Sequence, residues 1–160
     1  MAKTAEATPR GYHTVTPSLF VAGAAKAIEF YKRALGAEEL MRFPSPDGQI
    51  IHAEIKVGDS IIMLADEMPD MGRGPKSIGG TPVSFFVYGN DVDAAWKRAV
   101  DAGAKEVVPL ADQFWGDRTG CLEDPFGHQW WLAQHLQDLT PEEIRKNAEA
   151  HFAQFQPASR

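Results

Sequence analysis

The chain repeats one pattern of secondary structure, and this repeat restricts the fold more than any other feature. The letters Gly-Ala-Glu-Glu at 36–39 return as Gly-Ala-Lys-Glu at 103–106, 67 positions later. Glu54 returns as Glu123, 69 positions later. Matches at a nearly constant offset indicate that one supersecondary unit has been duplicated.

Hydrophobic periodicity gives both copies the element order β-α-β-β-β. Alternating apolar residues predict the strands, and apolar residues at i, i+3 and i+4 predict the helices. In the first copy we predict a strand over 12–21, a helix over 24–35 and strands over 38–43, 50–57 and 60–65. In the second copy we predict a strand over 83–88, a helix over 92–100 and strands over 105–110, 120–123 and 128–133.

These elements predict one α+β domain over residues 12–135, in which tandem βαβββ modules form a cupped sheet. A chain of 160 residues is long enough for one such core. A Thr-Pro-Glu-Glu capping box also predicts a C-terminal helix, whose apolar stripe could fold back on its own sheet or cross to a second subunit. The predicted division is a loose leader 1–11, first module 12–66, linker 67–80, second module 81–134 and C-terminal helix 138–156.

Composition excludes several classes of function. The net charge is −6, and the 16 Lys and Arg residues form no run, so a nucleic-acid partner is not expected. The single cysteine, Cys121, excludes an internal disulfide and multi-cysteine zinc sites. The sequence contains neither a signal peptide nor an apolar stretch of membrane-spanning length, so we predict a cytoplasmic protein without a membrane partner.

Four stretches carry a resemblance to a known family: TPSLFV at 16–21, AIEFYKRALGAEE at 27–39, HAEIKVGDSIIMLADE at 52–67 and FWGDRTGCLEDPFGHQWWLA at 114–133. Together with the βαβββ repeat they resemble the vicinal oxygen chelate superfamily, which includes glyoxalase I, bleomycin-resistance proteins and extradiol dioxygenases. More narrowly, they resemble its PhnB-like branch. The resemblance implies modules that curl into a cup around one ligand cavity, and it favours a homodimer.

Metal-dependent members of that superfamily carry ligands on the first and last strand of each module. The matching positions of this chain hold Thr16, Ile62, Ser84 and Trp131. None of these side chains offers the nitrogen or charged oxygen that a divalent metal requires, and a shift of one residue supplies none either. We therefore predict no metal and no cofactor, which counts against glyoxalase or dioxygenase chemistry.

His52 and Glu54 stand two residues apart in the strand predicted over 50–57, so they share a face. The alternate apolar residues should pack on a helix, which leaves the pair toward the cup. The two side chains could act as an acid and a base, or hold a metal with a further ligand such as His13. They could equally be a hydrogen-bonded pair on a partly solvated strand.

Aromatic residues near the end of the repeat are typical of a small-molecule pocket. Arg118 beside Trp115 could bind a carboxylate or phosphate, or could form a surface ion pair with Asp117. His128 is predicted to stabilise a turn. The predicted ligand-binding residues are Phe20, His52, Glu54, Trp115, Arg118 and Trp131.

These observations predict a metal-free cup that binds a small apolar or aromatic molecule. One alternative is a metal-dependent lyase, isomerase or dioxygenase that uses His52 and Glu54 as ligands. The other alternative is a cup filled by its own aromatic side chains, which leaves only an interaction role.

Overall fold

The computed structural model describes residues 6–155, which form two sheets and four helices. The strands are β1 Ser18–Val21, β2 Glu38–Pro44, β3 Ile50–Val57, β4 Ser60–Asp66, β5 Ser84–Tyr88, β6 Lys105–Asp112, β7 Asp117–Glu123 and β8 Gln129–His135. The helices are α1 Ala24–Leu35, α2 Pro75–Ile78, α3 Val92–Ala102 and α4 Pro141–Ala153.

Both sheets have the same topology, as a duplicated unit requires. The first has the strand order β1-β4-β3-β2 and the second has the order β5-β8-β7-β6. In each sheet the first strand pairs in parallel with the last, and the other pairs are antiparallel. The prediction of an α+β fold with tandem βαβββ modules and a C-terminal helix is confirmed.

Local sequence signals account for the helix ends. Helix α1 has the predicted bounds and ends at Gly36, whose backbone adopts φ 66° and whose N–H donates to the carbonyl of Tyr31. Helix α3 begins after Asp91, whose carboxylate accepts from the N–H of Ala94 at 3.0 Å. It continues to Ala102, two residues beyond the predicted end.

Several bounds differ from the predicted ones by one to three residues, and two elements differ further. The first strand was expected over 12–21, but β1 begins only at Ser18, because Pro17 before it has no N–H for the strand ladder. The predicted linker contains the short helix α2, which begins at Pro75. Part of the predicted leader, residues 1–5, lies outside the described residues.

One core joins the two modules. Helix α1 covers one face of the first sheet, helix α3 covers one face of the second, and the two helices pack against each other. The buried residues of this core include Leu19, Ile28, Tyr31, Ile55, Leu64, Val92, Ala99, Trp130 and Leu132. The other face of each sheet is therefore turned away from the shared core.

A buried carboxylate connects the modules within this core. The Oδ2 atom of Asp124 accepts hydrogen bonds from the hydroxyl of Tyr31 at 2.7 Å and from Nε1 of Trp130 at 2.9 Å. Its Oδ1 atom accepts from the backbone N–H groups of Phe126 and His128. Burial, followed by the charge of Asp124, raises the pKa of Tyr31 well above its usual value. A turn residue of the second module thus anchors α1 of the first.

Candidate functional site

Strand register identifies the two sheet faces that are turned away from the helices, because directly paired residues share a face. The first cup face, on β1 to β4, includes Phe20, Met41, Phe43, His52, Glu54 and Met63. The second cup face, on β5, β7 and β8, includes Phe86, Tyr88, Asp117, Cys121, Trp131 and His135.

A carboxylate with two hydrogen-bond partners lies on the first cup face. Glu54 is buried, its Oε1 atom lies 3.0 Å from Nε2 of His52, and the hydroxyl of Tyr12 is its second partner. Burial by itself would raise the pKa of Glu54, but the hydrogen bonds from Tyr12 and His52 lower it overall. The hydrogen bond to Glu54 raises the pKa of Tyr12 to about 12. The face therefore carries an ionised carboxylate and a neutral phenol at neutral pH.

Apolar side chains surround this polar cluster. Phe43 is 57% exposed and stacks on the ring of His52, with centroids 6.4 Å apart. Phe20 lies on the same face, as predicted for a cup wall, but the linker covers part of its ring. Gly72 approaches so closely that a Cβ atom there would lie 2.2 Å from the ring.

Aromatic rings line the second cup face. Trp131 stacks on Phe86 with centroids 5.2 Å apart and an angle of 2° between the rings. Tyr88 stacks in turn on Phe86 at 6.2 Å. Phe86 is 49% exposed, so its outer surface remains open to a ligand or a second chain.

A second carboxylate cluster lies beside these rings, and the sequence did not reveal it. Asp117 is only 5% exposed, and its two oxygens accept from Nδ1 of His135 at 2.7 Å, from the hydroxyl of Tyr88 at 2.8 Å and from Nε1 of Trp115 at 3.2 Å. Asp117 and His135 meet because they are paired across β7 and β8, and this pairing is known only once the strand register is known. This register is not readable from one strand alone.

Arg118 lies away from both cup faces. Its guanidinium donates to Asp93 of α3 at 2.8 and 3.0 Å and to Asp112 of β6 at 2.9 Å. Adjacent strand residues point to opposite faces, so Arg118 and Asp117 diverge. The structure brings Trp115 to the second cup face and places Arg118 on the side of α3.

The four positions that match the family's metal ligands do not fit a divalent cation. Ile62 is buried in the core, and Trp131 is stacked on Phe86. The hydroxyl of Thr16 donates to the carbonyl of His13, and Ser84 offers only a neutral hydroxyl. Within residues 6–155, no three His, Cys, Asp or Glu side chains are grouped as a metal site requires.

Within residues 6–155 the two sheets stay separate, and aromatic side chains of both cup faces are exposed. The sheets share no strand pairing, and a groove of about 1140 Å³ separates the modules along the edge of β5. Its lining includes Pro17 and Ile61 from the first module and Ser84, Phe86 and Tyr88 from the second. In the described chain, β5 pairs only with β8 and β1 only with β4, so each sheet has an open edge beside the other module.

The sequence that forms the βαβββ repeat matches one family model. The Glyoxalase/Bleomycin resistance protein/Dioxygenase superfamily model covers residues 12–132. The chain belongs to this superfamily. The resemblance inferred from the sequence is therefore confirmed.

Individual proteins and solved structures are also similar to the chain. An uncharacterized protein of Mycobacterium bovis is 46% identical over 135 residues, which cover 82% of this chain and 89% of the relative. The crystal structure of an Arabidopsis thaliana gene product is 30% identical with a TM-score of 0.62, covering 76% of this chain and 98% of its own. A PhnB protein from Bacillus cereus is 18% identical with a TM-score of 0.59, covering 76% and 99%, and shares the fold.

The helices of this superfamily member are short. Among residues 6–155, none combines the length and the apolar character needed to cross a lipid bilayer.

Proposed function

We propose that this superfamily member is a small-molecule binding protein whose ligand is apolar or aromatic. The observation that carries the proposal is the second cup face, where Trp131, Phe86 and Tyr88 form a row of stacked rings that stays open. Exposed aromatic surface of this kind marks binding sites in soluble proteins. The exposed fractions of Phe43, Phe86 and Tyr88 argue against a cup filled by its own side chains.

Polar groups on the cup faces would orient the bound ligand. On the first cup face, Glu54 with His52 and Tyr12 offers one carboxylate and two groups that can donate hydrogen bonds. Such a cluster suits a ligand that combines an apolar body with a polar end. The proposal assigns binding rather than catalysis to this cluster, since the donor set does not fit the family's metal.

The proposed cup is completed by a second copy of the chain. Within residues 6–155, one chain presents two open half-cups, and the edge strands beside the groove, β1 and β5, do not pair across it. A twofold dimer would bring the first cup face of one protomer against the second cup face of its partner, and would cover both edges. Helix α4, whose Phe152 is exposed, could extend the same interface. We propose that this dimer is located in the cytoplasm.

Replacing Trp131 by alanine should weaken binding of the neutral fluorescent probe N-phenyl-1-naphthylamine about tenfold. Loss of ring stacking and of apolar contact corresponds to about 1.4 kcal/mol. Titration of the probe, followed by its fluorescence gain, gives the dissociation constant for each variant. Val100→Ala is the control, because Val100 is exposed on α3, outside both cup faces and outside the proposed dimer interface. Equal affinity of wild type and Trp131→Ala, or no binding by wild type, would contradict the proposal.

Native mass spectrometry of protein purified without a histidine tag should show a dimer without bound metal. Phe86→Glu should convert the dimer into a monomer, because it places a charge beside the open edge of β5. Val107→Glu is the matched control, since Val107 is similarly exposed but lies on β6 at the far edge of the sheet. A monomeric wild type would contradict the shared cup. One equivalent of metal per subunit would instead favour the enzyme that uses His52 and Glu54.

A further inference from the structure

We propose that Asp117 is the positioning residue for the aromatic wall of the second cup face, and that His135 makes this wall sensitive to pH. The inference deepens the proposed function, because it concerns the same cup. It rests on one buried carboxylate that holds side chains from three different parts of the second module.

The two rings that Asp117 holds come from different parts of the second module. Tyr88 ends the edge strand β5, and Trp115 lies in the turn between β6 and β7. Both donate to the same oxygen, Oδ2 of Asp117, at 2.8 and 3.2 Å. The carboxylate itself is buried at the start of β7, so its position is set by the sheet. Asp117 thus gives both rings a common fixed point.

His135 occupies the other oxygen of the same carboxylate. Its Nδ1 atom lies 2.7 Å from Oδ1 of Asp117, and its Nε2 atom lies 2.9 Å from Oδ1 of Asp138. An imidazole can donate from both nitrogens only when it carries a proton on each. The geometry therefore suits a protonated imidazole, which can donate to two carboxylates, one buried and one fully exposed.

The titratable groups that face His135 are Asp117 on β7, Asp138 in the segment before α4, and Tyr88 through the shared carboxylate. The hydrogen bond to Asp117, followed by that to Asp138, raises the pKa of His135 above its usual value. For Asp117, burial opposes ionisation, but hydrogen bonds from His135, Tyr88 and Trp115 lower its pKa overall. The aspartate stays ionised across the range in which the histidine titrates.

The sign of the pH effect follows from these directions. A raised folded-state pKa means that the ion pair is complete below the unfolded value of about 6.5, and is lost as pH rises through the folded value. Deprotonation removes the charge that balances Asp117 and one of the two N–H donors of His135. The carboxylate of Asp117 then accepts stronger hydrogen bonds from Tyr88 and Trp115, so the positions of both rings change as His135 titrates.

Two-dimensional ¹H–¹⁵N NMR of the full chain between pH 5 and pH 9 tests this inference without any ligand. Each of the four tryptophans gives one indole N–H resonance, and Trp115→Phe assigns the resonance of interest. We expect the Trp115 indole and the His135 imidazole to titrate with the same midpoint, above that of an unperturbed histidine. In His135→Gln, the Trp115 resonance should lose this pH dependence while the other three indole resonances keep their wild-type shifts.

Two further variants separate positioning from general support of the fold. Asp117→Asn keeps the shape of the side chain but removes its charge, so the His135 midpoint should fall below the wild-type value and the Trp115 resonance should move. Asp138→Asn removes only the exposed partner and should lower the midpoint less. An indole of Trp115 that ignores the titration of His135, or an unchanged midpoint in Asp117→Asn, would overturn the inference.

A ligand-dependent measurement connects the positioning role to the cup. The affinity of N-phenyl-1-naphthylamine should change at least threefold between pH 6 and pH 9 in wild type and stay constant in His135→Gln. If the Trp115 and His135 resonances titrate together but the wild-type affinity for the probe is the same at pH 6 and pH 9, the claim that His135 makes ligand binding sensitive to pH is wrong. If the probe does not bind at all, the proposed function fails, whereas the NMR experiment still decides the role of Asp117.

Discussion

Replacing Asp124 by alanine is expected to cost about 3 to 5 kcal/mol of folding free energy, because it breaks a buried hydrogen-bond network. The carboxylate accepts from Tyr31 and Trp130 in the core and from two backbone N–H groups of its own turn. The variant leaves a phenol and an indole N–H buried without their acceptor. It also removes the hydrogen bond that joins α1 to the turn of the second module, beside the packing of α1 on α3.

Urea unfolding, followed by tryptophan fluorescence, measures this loss. Tyr31→Phe is the matched control, because it deletes one donor and leaves the other three on Asp124. We expect it to cost about 1 to 2 kcal/mol. If Asp124→Ala costs no more than Tyr31→Phe, the network does not hold the modules together and the role assigned to this turn is wrong.

Gly120→Val should cost about 3 kcal/mol, at the upper end of overpacking in a filled core. Gly120 lies within β7, where valine is otherwise a favoured residue. A Cβ atom there would lie 2.7 Å from the ring of Trp96 and 2.8 Å from the Cα atom of Leu110. The indole belongs to α3 and the second contact is the backbone of β6. Neither can retreat without moving α3 away from the sheet or β6 away from β7.

Thermal and urea unfolding both report this effect. Gly89→Val serves as the control, since a Cβ atom at Gly89 meets nothing within 4 Å. We expect it to change stability by less than about 1 kcal/mol. Equal costs for the two variants would show that the close packing of α3 on β7 does not limit the residue at 120.

The first module shows how far local patterns reach. The bounds of α1 and β3 were predicted because apolar spacing, a capping glycine and strand alternation act within a few residues. The same alternation predicted that His52 and Glu54 share a face, and the structure places them in one hydrogen-bonded pair. Their role in binding or catalysis stays a prediction.

The second module shows where local patterns stop. Arg118 and Trp115 were grouped because they are close in sequence, but strand alternation sends Arg118 to Asp93 and Trp115 to Asp117. His135 was not selected, since only the pairing of β7 with β8 brings it to Asp117. A carboxylate cluster whose members come from three separate segments of the chain produces no recognisable sequence pattern in any one of those segments.

The sequence by itself determined the duplicated βαβββ order, the bounds of α1 and the alternation of the strands, because these depend on neighbouring residues and on short-range sterics. The tertiary structure alone decided that Asp124 bonds to α1 of the first module and that Asp117 gathers His135, Tyr88 and Trp115. It also decided that, within residues 6–155, aromatic side chains of both cup faces stay exposed. These features depend on strand register and on the packing of α1 against α3. Both are set by contacts between residues far apart in the chain, where the burial of the whole core selects one arrangement.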